Sequence, residues 1–142
     1  MKAKFVYENM EFKRGQDPKR SMGIGKRALI KKWFDDLDVG SEEYSIDDNF
    51  NIFFKRSLDL RNTQITSLPD NLSIRGDLYL TNTLITSLPN NLSVRGFLDL
   101  TNTPITFLPD NLSVGGSLDL RNTPITSFPD NLAVSGNIYK DF

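Results

Sequence analysis

Histidine and cysteine are both absent from the 142 residues. Without cysteine the chain has no disulfide framework, no thiolate nucleophile and no thiolate zinc site. Without histidine it has no imidazole base, and so no Ser-His-Asp triad. Long apolar runs are missing as well. Nothing approaches the roughly 18 consecutive apolar residues of a membrane span. The opening residues MKAKFVYENMEF hold no apolar core of the kind a secretory signal needs. Charge of one sign is also lacking, since 17 basic and 18 acidic residues leave a formal net charge of −1. These gaps predict a soluble, cytoplasmic protein with no membrane contact, no cofactor, no metal and no enzymatic activity.

What is present is a repeat. From Leu58 the chain reads LDLRNTQITSLPDNLSIRGD, LYLTNTLITSLPNNLSVRGF, LDLTNTPITFLPDNLSVGGS and LDLRNTPITSFPDNLAVSGN, and IYKDF begins a fifth unit. The period is 20 residues without insertion. In each opening triplet the side chains alternate as in a short strand, so Leu58 and Leu60 share one side and Asp59 takes the other. Pro69 cannot continue a ladder and marks a bend, Asp70-Asn71 is turn chemistry, and Gly76 permits the turn into the next strand. Leu72 and Ile74 turn inward. A unit this short cannot bury its own apolar face, so successive coils must stack. Stacking predicts buried rows through Leu58, Leu60, Ile65, Leu68 and Leu72 and their equivalents 20 residues on, and a parallel sheet of about five short strands.

The repeat resembles the leucine-rich-repeat family, in its shortest, bacterial-type class, which follows a strand with a Leu-Pro turn as at Leu68-Pro69, Leu88-Pro89 and Leu108-Pro109. The resemblance runs from Leu58 to Tyr139. It implies an α/β-type repeat solenoid that binds a protein through the concave face of its sheet. The chain departs from the family at the asparagine-ladder position, which is Thr63, Thr83, Thr103 and Thr123 here. A hydroxyl there is expected to bond backbone groups between coils. Some bacterial effectors of this class carry a ubiquitin-ligase domain with a catalytic cysteine; this chain has no cysteine, and that activity does not carry over. The near-identity of the units is also similar to phage-encoded repeat proteins, which places the chain in a bacterial or phage-infected cell, with virion association as an alternative location.

Residues 1–56 do not repeat, whereas residues 57–142 form the solenoid. Lys2 to Tyr7 reads as a short strand. Lys13 to Lys32 holds eight basic residues (Lys13, Arg14, Lys19, Arg20, Lys26, Arg27, Lys31 and Lys32) against the single acid Asp17. Leu29, Ile30, Trp33, Phe34 and Leu37 fall on one stripe, which predicts a helix from Gly25 to Leu37 ended by Gly40. Tyr44 to Ile46 and Phe50 to Phe54 read as strands joined at Asp47-Asp48-Asn49. Asn51 to Ser57 lies in the frame of Asn71 to Asp77 and reads as a half-repeat. Helix and hairpin together should cap the first coil. Gly23-Ile24-Gly25-Lys26 fails as a phosphate loop, because Arg20 and Arg27 stand where that motif needs glycine and a hydroxyl residue. It reads instead as a flexible hinge. No aromatic is interleaved in the basic segment, which argues against nucleic acid as a partner.

The candidate binding residues lie on the outward side of the sheet: Asp59, Arg61, Tyr79, Phe97, Asp99, Asp119, Arg121 and Tyr139. Phe97 and Tyr79 are expected to be exposed aromatics, the residue type enriched at interaction hot spots. Asp99 and Asp119 should sit on neighbouring strands, a mildly unfavourable pairing of like charges. Their spacing supplies no encircling set of oxygens for calcium. Phe107 replaces the serine of the other units and points to a local packing change. The last coil should expose an edge, with Phe142 folding over it or a second copy pairing there. The expected partner is therefore a protein, and the alternative is self-association through the solenoid end.

Overall fold

A computed structural model of the chain describes residues 18–142, with side chains from Gly25 onward. The strand expected over Lys2 to Tyr7, and Lys13, Arg14 and Asp17 of the basic segment, lie outside the described residues. In chain order come helix α1 (Pro18–Asp36), a 3-10 turn (Ser41–Glu43) and strands β1 (Tyr44–Ile46) and β2 (Ile52–Phe54).

The cap is built from aromatic rings. Ile30, Trp33 and Phe34 of α1 are buried, at the 3–4 residue spacing that puts them on one face. The Phe34 ring lies 4.5 Å from Tyr44 of β1 and 5.1 Å from Phe54 of β2. The two strands pair antiparallel with Tyr44 opposite Phe54. Asp47 closes their turn, since its Oδ1 accepts the amides of Asn49 and Asn51. Arg27 ties the helix to that turn by donating to the carbonyls of Ile46 at 2.9 Å and Asp47 at 3.0 Å. Lys26 lies over the Phe50 ring. Part of the basic segment is thus structural.

Each following coil contributes two short strands. β3 (Leu58–Asp59), β5 (Leu78–Tyr79), β7 (Leu98–Asp99), β9 (Leu118–Asp119) and β11 (Ile138–Tyr139) form one parallel sheet of five. β4 (Leu72–Ile74), β6 (Ser93–Val94), β8 (Ser113–Val114) and β10 (Ala133–Val134) continue from β2 into a second sheet, six-stranded when β1 is included. Pairing is in register at 20-residue intervals, with Leu58, Leu78, Leu98, Leu118 and Ile138 in one line. Ile52 pairs with Leu72, as the half-repeat predicts. The solenoid, its five-stranded sheet and its helical cap are those expected from the repeat. The second sheet is additional: Leu72-Ser73-Ile74 alternates in, out and in, which is strand geometry rather than a simple inward turn.

Between the sheets lie the apolar rows. Leu60, Leu80, Leu100 and Leu120 are buried, as are Ile65, Ile85, Ile105 and Ile125. Burying each such side chain contributes roughly 1.5–3 kcal/mol. The rows fade at the last coil, where Phe128, Leu132, Val134 and Ile138 are only partly buried. Phe142 does fold back there, its ring 5.3 Å from that of Phe128.

Four local expectations are corrected. Gly23 and Gly25 lie inside α1 and form no hinge; a helical glycine costs about 1 kcal/mol, which the docked aromatic face of this helix offsets. Gly40 does not end the helix. Asp38 does, at φ 61°, with Val39 N–H donating to Phe34 O and Asp38 N–H to Asp35 O, the hydrogen-bond pattern of a Schellman cap. The threonine hydroxyls bond within their own coil, Thr63 to the Leu60 carbonyl and Thr83 to that of Leu80, and not between coils. The ladder between coils is made one residue earlier, where Asn82 donates to Asn62, Asn102 to Asn82 and Asn122 to Asn102, at 2.8–3.0 Å. Phe107, where a local packing change is expected, stands 57% exposed and is not taken into the core.

Candidate functional site

Alternation along the two-residue strands sends Leu58 and its equivalents inward, and so turns Asp59, Tyr79, Asp99, Asp119 and Tyr139 outward in a single line. Arg61, Thr81, Thr101 and Arg121 follow two residues on, and Ser57, Asp77, Phe97, Ser117 and Asn137 precede by two. All eight residues singled out from the sequence therefore belong to one face. Asp99 and Asp119 are register partners, as expected.

This face is ordered by its own side chains. Arg61 Nε and Nη2 donate to the two Asp59 carboxylate oxygens at 2.8 and 2.6 Å. The Arg61 guanidinium lies 5.2 Å from the centre of the Tyr79 ring on the next strand. The same unit recurs three coils on, where Arg121 holds Asp119 at 2.9 and 2.6 Å and lies 5.5 Å from the Tyr139 ring. Between the two units, Asp99 Oδ1 accepts the Thr101 amide and hydroxyl at 3.0 and 2.8 Å. The like charges of Asp99 and Asp119 are thus each neutralised or hydrogen-bonded by the residue two places on. Hydrogen bonds from the arginines hold the Asp59 and Asp119 carboxyls below the ordinary carboxylate range, against the opposing effect of burial.

Asp77, which the sequence did not single out, organises the aromatic pair. Its Oδ2 accepts the Tyr79 hydroxyl at 2.8 Å, and its Oδ1 accepts the Phe97 amide at 2.7 Å. The bond to Asp77 also pushes the Tyr79 phenol up. Tyr79 and Phe97 lie with ring centres 6.3 Å apart. The expectation that they are exposed aromatics is corrected: both are half-buried, each ring lying against the other across neighbouring coils. Ser57 and Ser117 play the part of Asp77 elsewhere, accepting the amides of Asp77 and Asn137. An acceptor at this position is a usable sequence signal, present at Ser57, Asp77 and Ser117 and missing at Phe97.

Among the described residues, no group of three or more acidic side chains is placed to hold a metal ion. No described helix is long and apolar enough to cross a membrane. The face is a relief of rings and ion pairs. A groove of about 320 Å³ lies elsewhere, on the outer side of the six-stranded sheet, lined by residues that include Phe53, Lys55, Arg75 and Arg95. Sequence reasoning passed over these, although positions 55, 75 and 95 keep the repeat period. No family model, curated protein or solved structure matches the chain.

Proposed function

We propose that this protein is a non-enzymatic binding module, a short solenoid of leucine-rich-repeat type that recognises a protein partner through the outward face of its five-stranded sheet. The observation that carries this reading is the fixed Tyr79–Phe97 pair, half-buried and held by Asp77 and Arg61. Aromatic rings and arginines dominate binding hot spots. The Tyr79 ring, already held through its hydroxyl by Asp77, loses little freedom on association, which is the main gain from preorganisation. The carboxylates of Asp59, Asp99 and Asp119 are engaged by arginine or threonine on the same face, which supports a binding role for them. The cytoplasm of a bacterial or phage-infected cell is the proposed setting.

The test is site-specific photo-crosslinking in the full chain. A photoreactive phenylalanine analogue at position 97 should give a discrete crosslink to another protein, whereas the same group at position 107, exposed on a different side, should not. Equal crosslinking from both positions would count against the face.

Self-association through the last coil is the alternative. It is favoured by the partly buried Ile138, Leu132 and Val134 and by Tyr139, which is 42% exposed. It predicts concentration-dependent oligomers that Ile138→Lys abolishes.

A further inference from the structure

The six-stranded sheet carries a second, chemically different surface. Phe53, Ser73 and Ser93 stand outward in register on β2, β4 and β6. Two residues further along each coil come Lys55, Arg75 and Arg95, all exposed. They form a cationic row with one member per coil, about 4.8 Å apart. None of the three forms an ion pair among the described residues, in contrast to Arg61 and Arg121. The nine residues lining the groove include these three cations and no acid. Phe53 lines the same groove and is 44% exposed, an aromatic face left open beside the row. On the far side, Asn51, Asn71 and Asn91 line an adjoining depression with amide donors and acceptors. The row ends after three coils, because Gly115 and Ser135 occupy the following positions.

From this arrangement we infer that the groove binds a single strand of nucleic acid. Unpaired cations in line match the regular negative charge of a phosphate backbone, and an open aromatic ring offers a base its stacking partner. Serine hydroxyls and asparagine amides alongside can bond to phosphates, sugars or base edges without demanding one sequence. The basic segment from Lys13 to Lys32 lacks such an aromatic; the groove has it. The surface lies on the opposite sheet from Tyr79 and Phe97, so the two faces can be occupied independently. The molecule would then join a protein to a nucleic acid strand.

Fluorescence anisotropy of a labelled oligo(dT) of about 15 nucleotides with the full chain tests this. Binding is expected at low salt, with log K falling against log salt at a slope of about −2, from three cations at roughly 0.7 each. The exposed double variant Arg75→Glu/Arg95→Glu should bind at least tenfold more weakly, and Phe53→Ala about tenfold more weakly, with unchanged circular dichroism and melting. Tyr79→Ala/Phe97→Ala and Lys13→Glu/Arg14→Glu should bind as the parent does. No binding by the parent chain would overturn the inference, as would binding lost in Lys13→Glu/Arg14→Glu and kept in Arg75→Glu/Arg95→Glu. Equal affinity for heparin or a polyglutamate peptide, with Phe53→Ala unaffected, would also overturn it by showing a surface for polyanions of any kind.

Discussion

Arg121 holds both carboxylate oxygens of Asp119, at 2.9 and 2.6 Å, and Asp119 is only 4% exposed. The equivalent pair, Arg61 with Asp59, has similar lengths but an aspartate side chain 47% exposed. Removing the two arginines should therefore have unequal effects. Arg121→Ala leaves a buried carboxylate without its main donors, and the protein should lose about 2 kcal/mol of stability. Asp59 in Arg61→Ala is rescued by water, so that variant should lose clearly less. Urea unfolding of both variants checks the order; equal losses would show that burial does not set the cost.

Stability should also fall in acid. The Asp119 and Asp59 carboxyls are lowered by their arginine bonds, and Asp47 by bonds from Asn51. A carboxyl lowered in the folded state adds stability above its unfolded value, and that stability is lost as pH falls through the folded value. The melting midpoint should therefore be level from pH 7 to about 5 and drop below about 4. In alkali, Tyr44 acts in the opposite sense, since burial and then Asp35 push its phenol up. Its contribution is present below about pH 10 and lost as pH rises through the folded value. A midpoint that climbs on acidification would contradict the role given to the aspartates.

The asparagine ladder makes a distinct prediction. Asn82 sits at φ 61°, donates to Asn62 and accepts from Asn102. Asn82→Ala meets both the left-handed strain and the broken ladder, and should cost about 1–2 kcal/mol. Asn82→Gly removes the strain and keeps only the second loss, so it should cost less. Thermal melts of the two variants decide the matter; glycine as harmful as alanine would show that backbone conformation is not what selects asparagine.

Stacking distance sets a limit of its own. A Cβ on Gly116 would come within 2.8 Å of the carbonyl carbon and oxygen of Gly96 in the previous coil. Gly116→Ala should force those coils apart and destabilise the protein by about 1–3 kcal/mol. The sequence reading assigned these glycines to turns. The structure assigns them to close approach of successive coils, where Gly116 N–H donates to Gly96 O at 2.9 Å. A melting midpoint unchanged by Gly116→Ala would contradict that assignment.

The repeat rows were legible because a 20-residue period is a geometric statement: Leu58, Leu78, Leu98 and Leu118 can share a core only if coils stack in register. The stripe of Ile30, Trp33 and Phe34 was legible for the same reason. Features set by backbone turns were not. Asp38 takes the helix-ending role usually given to glycine, and nothing in its identity distinguishes it from Asp35 or Asp36. Asn62 and Thr63 are equally plausible ladder residues until φ decides between them. The candidate face was legible as positions, since alternation places Asp59, Tyr79 and Asp99 outward. Its internal couplings, such as Arg61 lying over Tyr79 and Asp77 holding both Tyr79 and Phe97, depend on rotamers that no spacing records.

The proposed function is the binding of a protein by the five-stranded sheet through Tyr79 and Phe97. Affinity capture from source-cell lysate with the parent chain, Tyr79→Ala/Phe97→Ala and Arg75→Glu/Arg95→Glu tests it most directly, after nuclease treatment to remove nucleic acid bridges. One protein should be held in stoichiometric amount by the parent and by the arginine variant, and lost from the aromatic variant. A protein retained equally by the aromatic variant would contradict the claim and move the binding surface off this sheet.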